Sequence, residues 1–522
     1  MGRTLRWTLA SRLVHSGGFF CFNIKSDYLT SKPAFYALFV FSLPIIIGNL
    51  FQQLYTMVDS AVVGRFVGEQ ALAAVGASYS LTVVFICVAI GGGVGSSVIV
   101  SKYFGARNFS AMKTAVSTSF LTFLCISVFL GAVGIVINRP LLVLLKTPSD
   151  ALDMALVYLR IYFLGLPFLF MYNVISSMFN AIGNSRIPLV FLIFSSVLNV
   201  ALDFLFVAVF KTGVAGAAWA TLIAQGLSCV LSFAVFMRTL GKFKDSEDED
   251  AAAEKDVGFF GENSCGSARS GGADFAGGVS CGGKFCGGGA RRYGKLTCGS
   301  YRKFRFFDGR ELSSMAKIAI PSILQQSTVS IGMMLVQSVV NSFGSEALAG
   351  YSAFSRIASI AIVPMAALNN SMSSYTAQNI GAGKPERVVK GYRAANLMVA
   401  FFAVTLCLCI EIFYRPLISL FIGDGGSETA LRTGQAALRF EGFFYCWIGF
   451  KMACDGLLRG AGDMKVFTLA NLINLSIRVV VSVVCAPRFG IEWVWYSVPM
   501  GWFMNFVISF AEYRTGNWKK RL

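Results

Sequence analysis

A succession of long apolar runs constrains this chain more than any other feature. Most are about twenty residues or longer, the length a helix needs to cross roughly 30 Å of hydrocarbon. Inside lipid the backbone must satisfy its own hydrogen bonds, so such runs form helices rather than open strands. They predict twelve helices, over 35–65, 71–101, 114–137, 153–182, 187–210, 214–237, 315–342, 347–376, 393–422, 430–458, 466–486 and 490–513. Only 14% of the residues are charged while 55% are hydrophobic, too little polar surface for a soluble fold of this size. The expected fold is therefore an all-α polytopic membrane protein.

The formal net charge of +18 belongs to loops rather than to a nucleic-acid face. Lys and Arg gather in the tails and in the connections after even-numbered helices, the pattern that marks the cytoplasmic side. Both termini are expected there, in a multi-pass protein of the plasma membrane. No nucleic-acid-binding module is present. The 13 cysteines are scattered, mostly in apolar segments where Cys acts as a small hydrophobe, and His15 is the only histidine. Residues 239–312 differ in kind. They open on an acidic run from Asp245 to Asp250, become rich in Gly, Ser and basic residues, and read as a disordered cytoplasmic linker. The chain thus divides into a tail (1–34), a first six-helix half (35–238), the linker, a second half (313–513) and a short tail (514–522).

The halves repeat one another at an offset near 277. Leu43-Pro44-Ile45 returns as Ile320-Pro321-Ser322, and Gly105-Ala106-Arg107 as Gly381-Ala382-Gly383-Lys384. Ala181-Ile182-Gly183-Asn184 returns as Gly460-Ala461-Gly462-Asp463. Six helices is an even number, so the repeats are parallel and related by an axis along the membrane normal. Two such bundles, an N-lobe and a C-lobe, leave a central cleft that can open to either side. Pro44 and the run Gly91-Gly92-Gly93 with Gly95 favour deformable helices, with the first helix bending at Pro44.

Asp59 and Asp203 lie deep in otherwise apolar helices. A carboxylate there is costly and marks a functional site by default. Asn199 is four residues before Asp203 and shares its helix face. At about 1.5 Å rise per residue, Asp59, Asp203 and Thr221 all fall in the outer half of the N-lobe, with Asn173 nearer the midplane. Two carboxylates, an amide and a hydroxyl suit a proton or a sodium ion, and burial with like charge favours keeping at least one carboxyl protonated. In the second half Val336 and Ser482 stand at the equivalent positions, without acids. Lys451 and Asp455, four apart, are expected to pair, while Arg356 and Arg478 have no assigned partner.

The ordered set Pro44, Gln52-Gln53-Leu54-Tyr55-Thr56-Met57-Val58-Asp59, Phe179-Asn180-Ala181-Ile182-Gly183, Leu198-Asn199-Val200-Ala201-Leu202-Asp203 and Gly213-Val214-Ala215-Gly216-Ala217-Ala218-Trp219-Ala220-Thr221 resembles the multidrug and toxic compound extrusion (MATE) transporters, in their DinF-like branch. The resemblance covers both membrane halves but neither the tail nor the linker. It implies a monomeric secondary antiporter, not an enzyme, that needs no cofactor. Such a protein exports amphipathic or cationic organic compounds through the lipid bilayer in exchange for H+ or Na+. It further implies that Asp59, Asn199, Asp203 and Thr221 form the cation-coupling site and would be the sodium ligands if sodium is used. Gln52, Tyr55 and Asn173 would line the substrate cavity. Two competitors stand beside it. A lipid-linked glycan flippase would need a basic stripe in the cleft, whereas Arg160 is the only arginine inside the first half's helices. An intramembrane aspartyl protease would need its two aspartates in mutual contact and a GxGD-type motif, and Val200-Ala201-Leu202 precedes Asp203 instead.

Overall fold

The computed structural model describes residues 27–144, 149–243, 304–422 and 427–519. Within them the chain forms twelve long helical spans and no strand. The first half holds α1 (Ala34–Phe66), α2 (Glu69–Gly105), α3 (Phe109–Leu144), α4 (Ser149–Ala181), α5 (Arg186–Val209) and α6 (Gly213–Leu240). The second half holds α7 (Gly309–Asn341), α8 (Ser345–Gly381), α9 (Pro385–Ile422), α10 (Glu428–Ala461), α11 (Met464–Phe489) and α12 (Glu492–Thr515). Ten of these are long and apolar enough to cross a membrane by composition alone. The other two, α10 and α12, belong to the second half, and α10 carries Arg439, Glu441, Lys451, Asp455 and Arg459. Large apolar side chains such as Phe129, Val136, Phe401, Ile412 and Leu420 are more than half exposed, as surfaces that meet lipid must be. The acidic run and the four linker cysteines, Cys265, Cys281, Cys286 and Cys298, lie outside the described residues.

The repeat is visible in the backbone. Gly183 and Gly462 follow α4 and α10 with φ of +82° and +80°, and Gly68 and Gly344 precede α2 and α8 with φ of +110° and +95°. These are conformations that an L side chain resists, so the same glycine ends or opens the same helix twice. Each half builds its own apolar core. One is centred on Phe163, Phe170, Val174 and Phe179, the other on Tyr375, Tyr445, Leu457 and Trp495.

The first helix of each half begins in the other half's core. Ala37, Leu38 and Phe41 of α1 pack within the C-lobe core, whereas Val62 and Val63 near its far end pack with Val207, Val214 and Ala217 of the N-lobe. In the mirrored position Met315 of α7 packs within the N-lobe core, and Ser119 of α3 donates a hydrogen bond to its sulfur. α1 and α7 therefore tie the lobes together at the end of the bundle where α1 begins, here called the entry end. The last residues of the expected linker also join the fold. The backbone N–H groups of Arg305 and Asp308 donate to Thr114 and Thr118 of α3. Asp308 then caps α7 by accepting from the Arg310 N–H at 2.8 Å, a cap of about 1 kcal/mol. For that reason α7 starts several residues earlier than its apolar run suggests.

Three details differ from expectation. α8 is not one helix: it breaks at Ile362, just before Pro364 sits in the first turn of the segment Val363–Gly381, where a missing N–H costs nothing. α5 leaves α-geometry after Asp203, and Phe204–Val209 form a π-helical segment. The glycines of α2 are sites of close approach. A Cβ on Gly91 or Gly95 would overlap the backbone of Ile323 or Ala319 of α7, so these positions bring helices of opposite lobes into contact. Pro44 lies inside a continuous α1.

Candidate functional site

Two adjoining features occupy the interior: a cluster of buried oxygens in the N-lobe and a cavity beside it. α1 carries Asp59 about seven turns from its start, on the half anchored in the N-lobe. α5 carries Asn199 and Asp203 one turn apart, with Asp203 at the junction between α- and π-helix. Wide turns of this kind recur at functional sites because they re-aim the side chains beside them. α6 brings Thr221 alongside, and the Asn199 amide donates to its hydroxyl at 3.3 Å. Asp203 is fully buried and Asn199 nearly so, and the Asp59 and Asp203 carboxyls adjoin.

The balance of donors and acceptors is lopsided. Oδ1 of Asp59, Oδ1 of Asn199 and both carboxylate oxygens of Asp203 are buried and receive no hydrogen bond from a protein donor among the described residues. Buried oxygens without donors are costly, and four in one place form a negative, oxygen-lined pocket. Hard oxygen ligands from two carboxylates, an amide and a hydroxyl suit Na+ or a proton, and His and Cys contribute nothing here. Among the described residues no cluster of His, Cys, Asp or Glu has the makings of a transition-metal site.

The cavity has a volume of about 250 Å³, near the lower bound for sites that hold drug-sized ligands. It runs from Asn199 and Thr221 to the entry end, past Tyr55, Gln52, Asn173 and Pro44, to Asn180, Asn370 and Arg459. All three expected cavity residues line it. Asn173 donates one amide N–H to the Leu169 carbonyl at 2.8 Å. Asn199 and Thr221 border both features, whereas Asp59 and Asp203 do not line the cavity: the acids stand behind its wall.

Arg459 is the residue that sequence reasoning misses. Helix ten was expected to end at residue 458, which left Arg459 as one more basic loop residue; α10 in fact runs to Ala461. A signal existed, because the repeat sets Leu458-Arg459-Gly460 opposite Phe179-Asn180-Ala181, and Asn180 also lines the cavity. Arg160 and Arg356 are exposed and neither lines the cavity. A single arginine is not a basic stripe. Lys451 and Asp455 pair as expected, at 2.9 Å and buried, and Glu411 pairs with Arg439 at 2.9 Å. The two aspartates do adjoin, the one geometric demand of the protease reading, but no GxGD motif accompanies them.

Comparison with known proteins fits this architecture. A family model described as MatE matches residues 44–205 and again 321–484, together more than half of the chain. The second match begins at Pro321, the repeat partner of Pro44. The chain is 28% identical over 498 residues to the probable multidrug resistance protein YpnP of Bacillus subtilis (strain 168), covering 95% of this chain and 98% of that one. It is 25% identical over 499 residues to the probable multidrug resistance protein YoeA of the same organism, covering 94% and 96%. A solved structure of a MOP superfamily transporter from Pyrococcus furiosus superposes with a TM-score of 0.76 at 21% identity, covering 94% of this chain and 97% of that one. That likeness shows the fold.

Proposed function

This chain belongs to the MatE family of multidrug transporters, which are not enzymes, and from that premise we propose that it is a secondary antiporter. It exports amphipathic organic compounds, cations among them, in exchange for H+ or Na+ bound at Asp59, Asn199, Asp203 and Thr221. The observation that carries this reading is the set of four buried, partnerless oxygens on Asp59, Asn199 and Asp203. A cation or proton supplies the missing partner, so the site changes energy steeply on binding. A purely structural network would satisfy its own members.

α1 gives the route from ion to cleft. One half of it packs in the C-lobe core and the other carries Asp59 in the N-lobe, with Pro44 on the cavity wall between them. Neutralising the acid pair changes how the far half of α1 packs on α5 and α6, and the same helix holds the lobes together at the entry end. With both termini in the cytoplasm, the arrangement described is sealed on that side. Substrate enters from the cytoplasm in the opposite arrangement, and the ion, binding one arrangement better than the other, drives release outside. The membrane is the plasma membrane and the working unit a monomer.

The test is export of a fluorescent organic cation from proteoliposomes under separately imposed proton and sodium gradients, with Asp59→Asn beside wild type. Export driven by one gradient and lost in the variant is expected. Equal gradient-driven export by the variant would remove Asp59 from coupling, and no export by wild type of any amphipathic compound would overturn the antiport reading.

A further inference from the structure

We propose that the entry end of the cavity, at Arg459, is a subsite for an oxyanion (carboxylate, sulfonate or phosphate) carried by an otherwise amphipathic substrate. This rests on the reading above, that the cavity holds the exported compound, and it names a chemical class for that compound. Among the described residues that line the cavity, Arg459 is the only charged one, and no carboxylate faces it there.

A buried arginine normally meets an acid, and the sequence provides one on the same helix face: Asp455 lies one turn back, where an i,i+4 pair would form. The structure has committed Asp455 elsewhere. Its Oδ2 pairs with Lys451 Nζ at 2.9 Å and accepts from the Asn471 amide at 3.3 Å, and its Oδ1 accepts from the Ser509 hydroxyl at 3.2 Å. The carboxylate is neutralised by Lys451 within the C-lobe, and Arg459 turns to the cavity instead. There neutral acceptors hold it: Nε donates to Ser373 Oγ at 3.4 Å, and Nη2 to Asn369 Oδ1 and Asn370 Oδ1 at 3.0 Å each. Among the described residues Nη1 has no hydrogen-bond partner, and Arg459 lines the cavity.

The side chain is 5% exposed; Asp455 lies within electrostatic reach but is already paired with Lys451, and a charge this buried without a counter-ion of its own is costly unless function retains it. Three side chains fix the plane of the guanidinium, which prepays the entropy of positioning it. A fixed planar fork suits an oxyanion better than a mobile ammonium would. The charge layout points the same way. The acids stand behind the far wall, so a compound lying along the cavity meets positive charge at the entry end and the coupling site at the other. A simple organic cation placed at Arg459 would be repelled.

The experiment uses two rhodamine dyes, one with a free benzoate and the other its methyl ester, identical except for that charge. Both are loaded into proteoliposomes of the full chain, and export is followed under the gradient that drives transport. Wild type is expected to prefer the acid, and Arg459→Gln to cut the acid-to-ester ratio of kcat/KM about tenfold or more, the worth of a charge-assisted hydrogen bond. Arg459→Lys, which keeps the charge, should recover part of the ratio. Export of the ester with no preference for the acid in wild type would overturn the subsite and leave the antiport reading standing. Export of neither dye, nor of any organic cation, under either gradient would overturn both. Should Arg459→Gln fail to fold, the wild-type ratio together with Arg459→Lys decides alone.

Discussion

The N-lobe coupling site and the mirrored place in the C-lobe share a backbone and differ in what they do with charge. The repeat sets Val336 opposite Asp59, Arg478 opposite Asn199 and Ser482 opposite Asp203. Val336 is buried in the C-lobe core, and Ser482 is buried and shares a hydrogen bond with Ser497 at 3.0 Å. Arg478 lies within electrostatic reach of Glu441, itself 4% exposed, and its Nε is buried without a hydrogen-bond partner. Where the N-lobe gathers buried oxygens with no donor, the C-lobe carries a cation fixed to its own chain. A tethered guanidinium does not exchange with either side of a membrane, so the C-lobe position cannot report an ion gradient. Duplication supplied two positions of the same backbone, and only the N-lobe one kept the acids on which the proposed ion coupling rests.

The largest expected difference between them is in coupling. Asp203→Asn should bring gradient-driven export in proteoliposomes down to the passive leak, while Ser482→Ala at the mirrored position stays within about twofold of wild type. A loss in both would mean that the positions serve packing and the asymmetry is empty. Next in size is the C-lobe pair. Arg478→Met removes the cation within electrostatic reach of the buried Glu441 and should cost about 0.5–3 kcal/mol, read as a fall in melting temperature of the detergent-solubilised protein. Adding Glu441→Gln to the same chain should restore most of it. A single variant as stable as wild type would show that Arg478 is not the fixed cation described.

The fold and the acid pair are legible in the sequence for the same reason: each breaks a uniform background. Long apolar runs stand out against short polar loops, and Asp59 and Asp203 stand out against the apolar runs. The repeat is legible because Gly183 and Gly462 must adopt backbone conformations few other residues tolerate. The rest depends on geometry that composition does not record. The π-helical turn after Asp203 is hidden because Phe204–Val209 is equally apolar in either helix form. The crossing of α1 and α7 into opposite cores is tertiary, and nothing local in Leu38, Phe41 or Met315 announces it. Arg459 is hidden by a boundary error of three residues, enough to turn a cavity wall into a loop. Pro364 is the local signal for the break in α8, but it sits within a long apolar run that reads as one helix.

The entry end provides the control in which the two lobes should behave alike. A Cβ on Gly105 would overlap the carbonyl of Gln378, and one on Gly381 would overlap that of Lys102. Each glycine thus lets α2 and α8 touch backbone to backbone, in a contact that the repeat maps onto itself. Gly105→Ala and Gly381→Ala should each destabilise this closed seam by about 1–3 kcal/mol. Hydrogen–deuterium exchange at the entry ends of α2 and α8 should rise to the same extent in both. Unequal responses would show that the seam, like the ion site, has diverged between the lobes.

The smallest expected effect returns to the coupling site. Thr221→Val removes the hydroxyl that receives the Asn199 amide at 3.3 Å while keeping the shape of the side chain. A hydrogen bond of this kind is worth about 0.5–1.5 kcal/mol, so the half-saturating concentration of the coupling ion should rise roughly three- to tenfold. The maximal export rate should change far less, because the carboxylates that bind the ion remain. At the mirrored position, counted from Gly213 and Gly490, the C-lobe already carries Val498 and so has no hydroxyl. An unchanged half-saturating concentration in Thr221→Val would take Thr221 out of the ion site, which would then shrink to Asp59, Asn199 and Asp203.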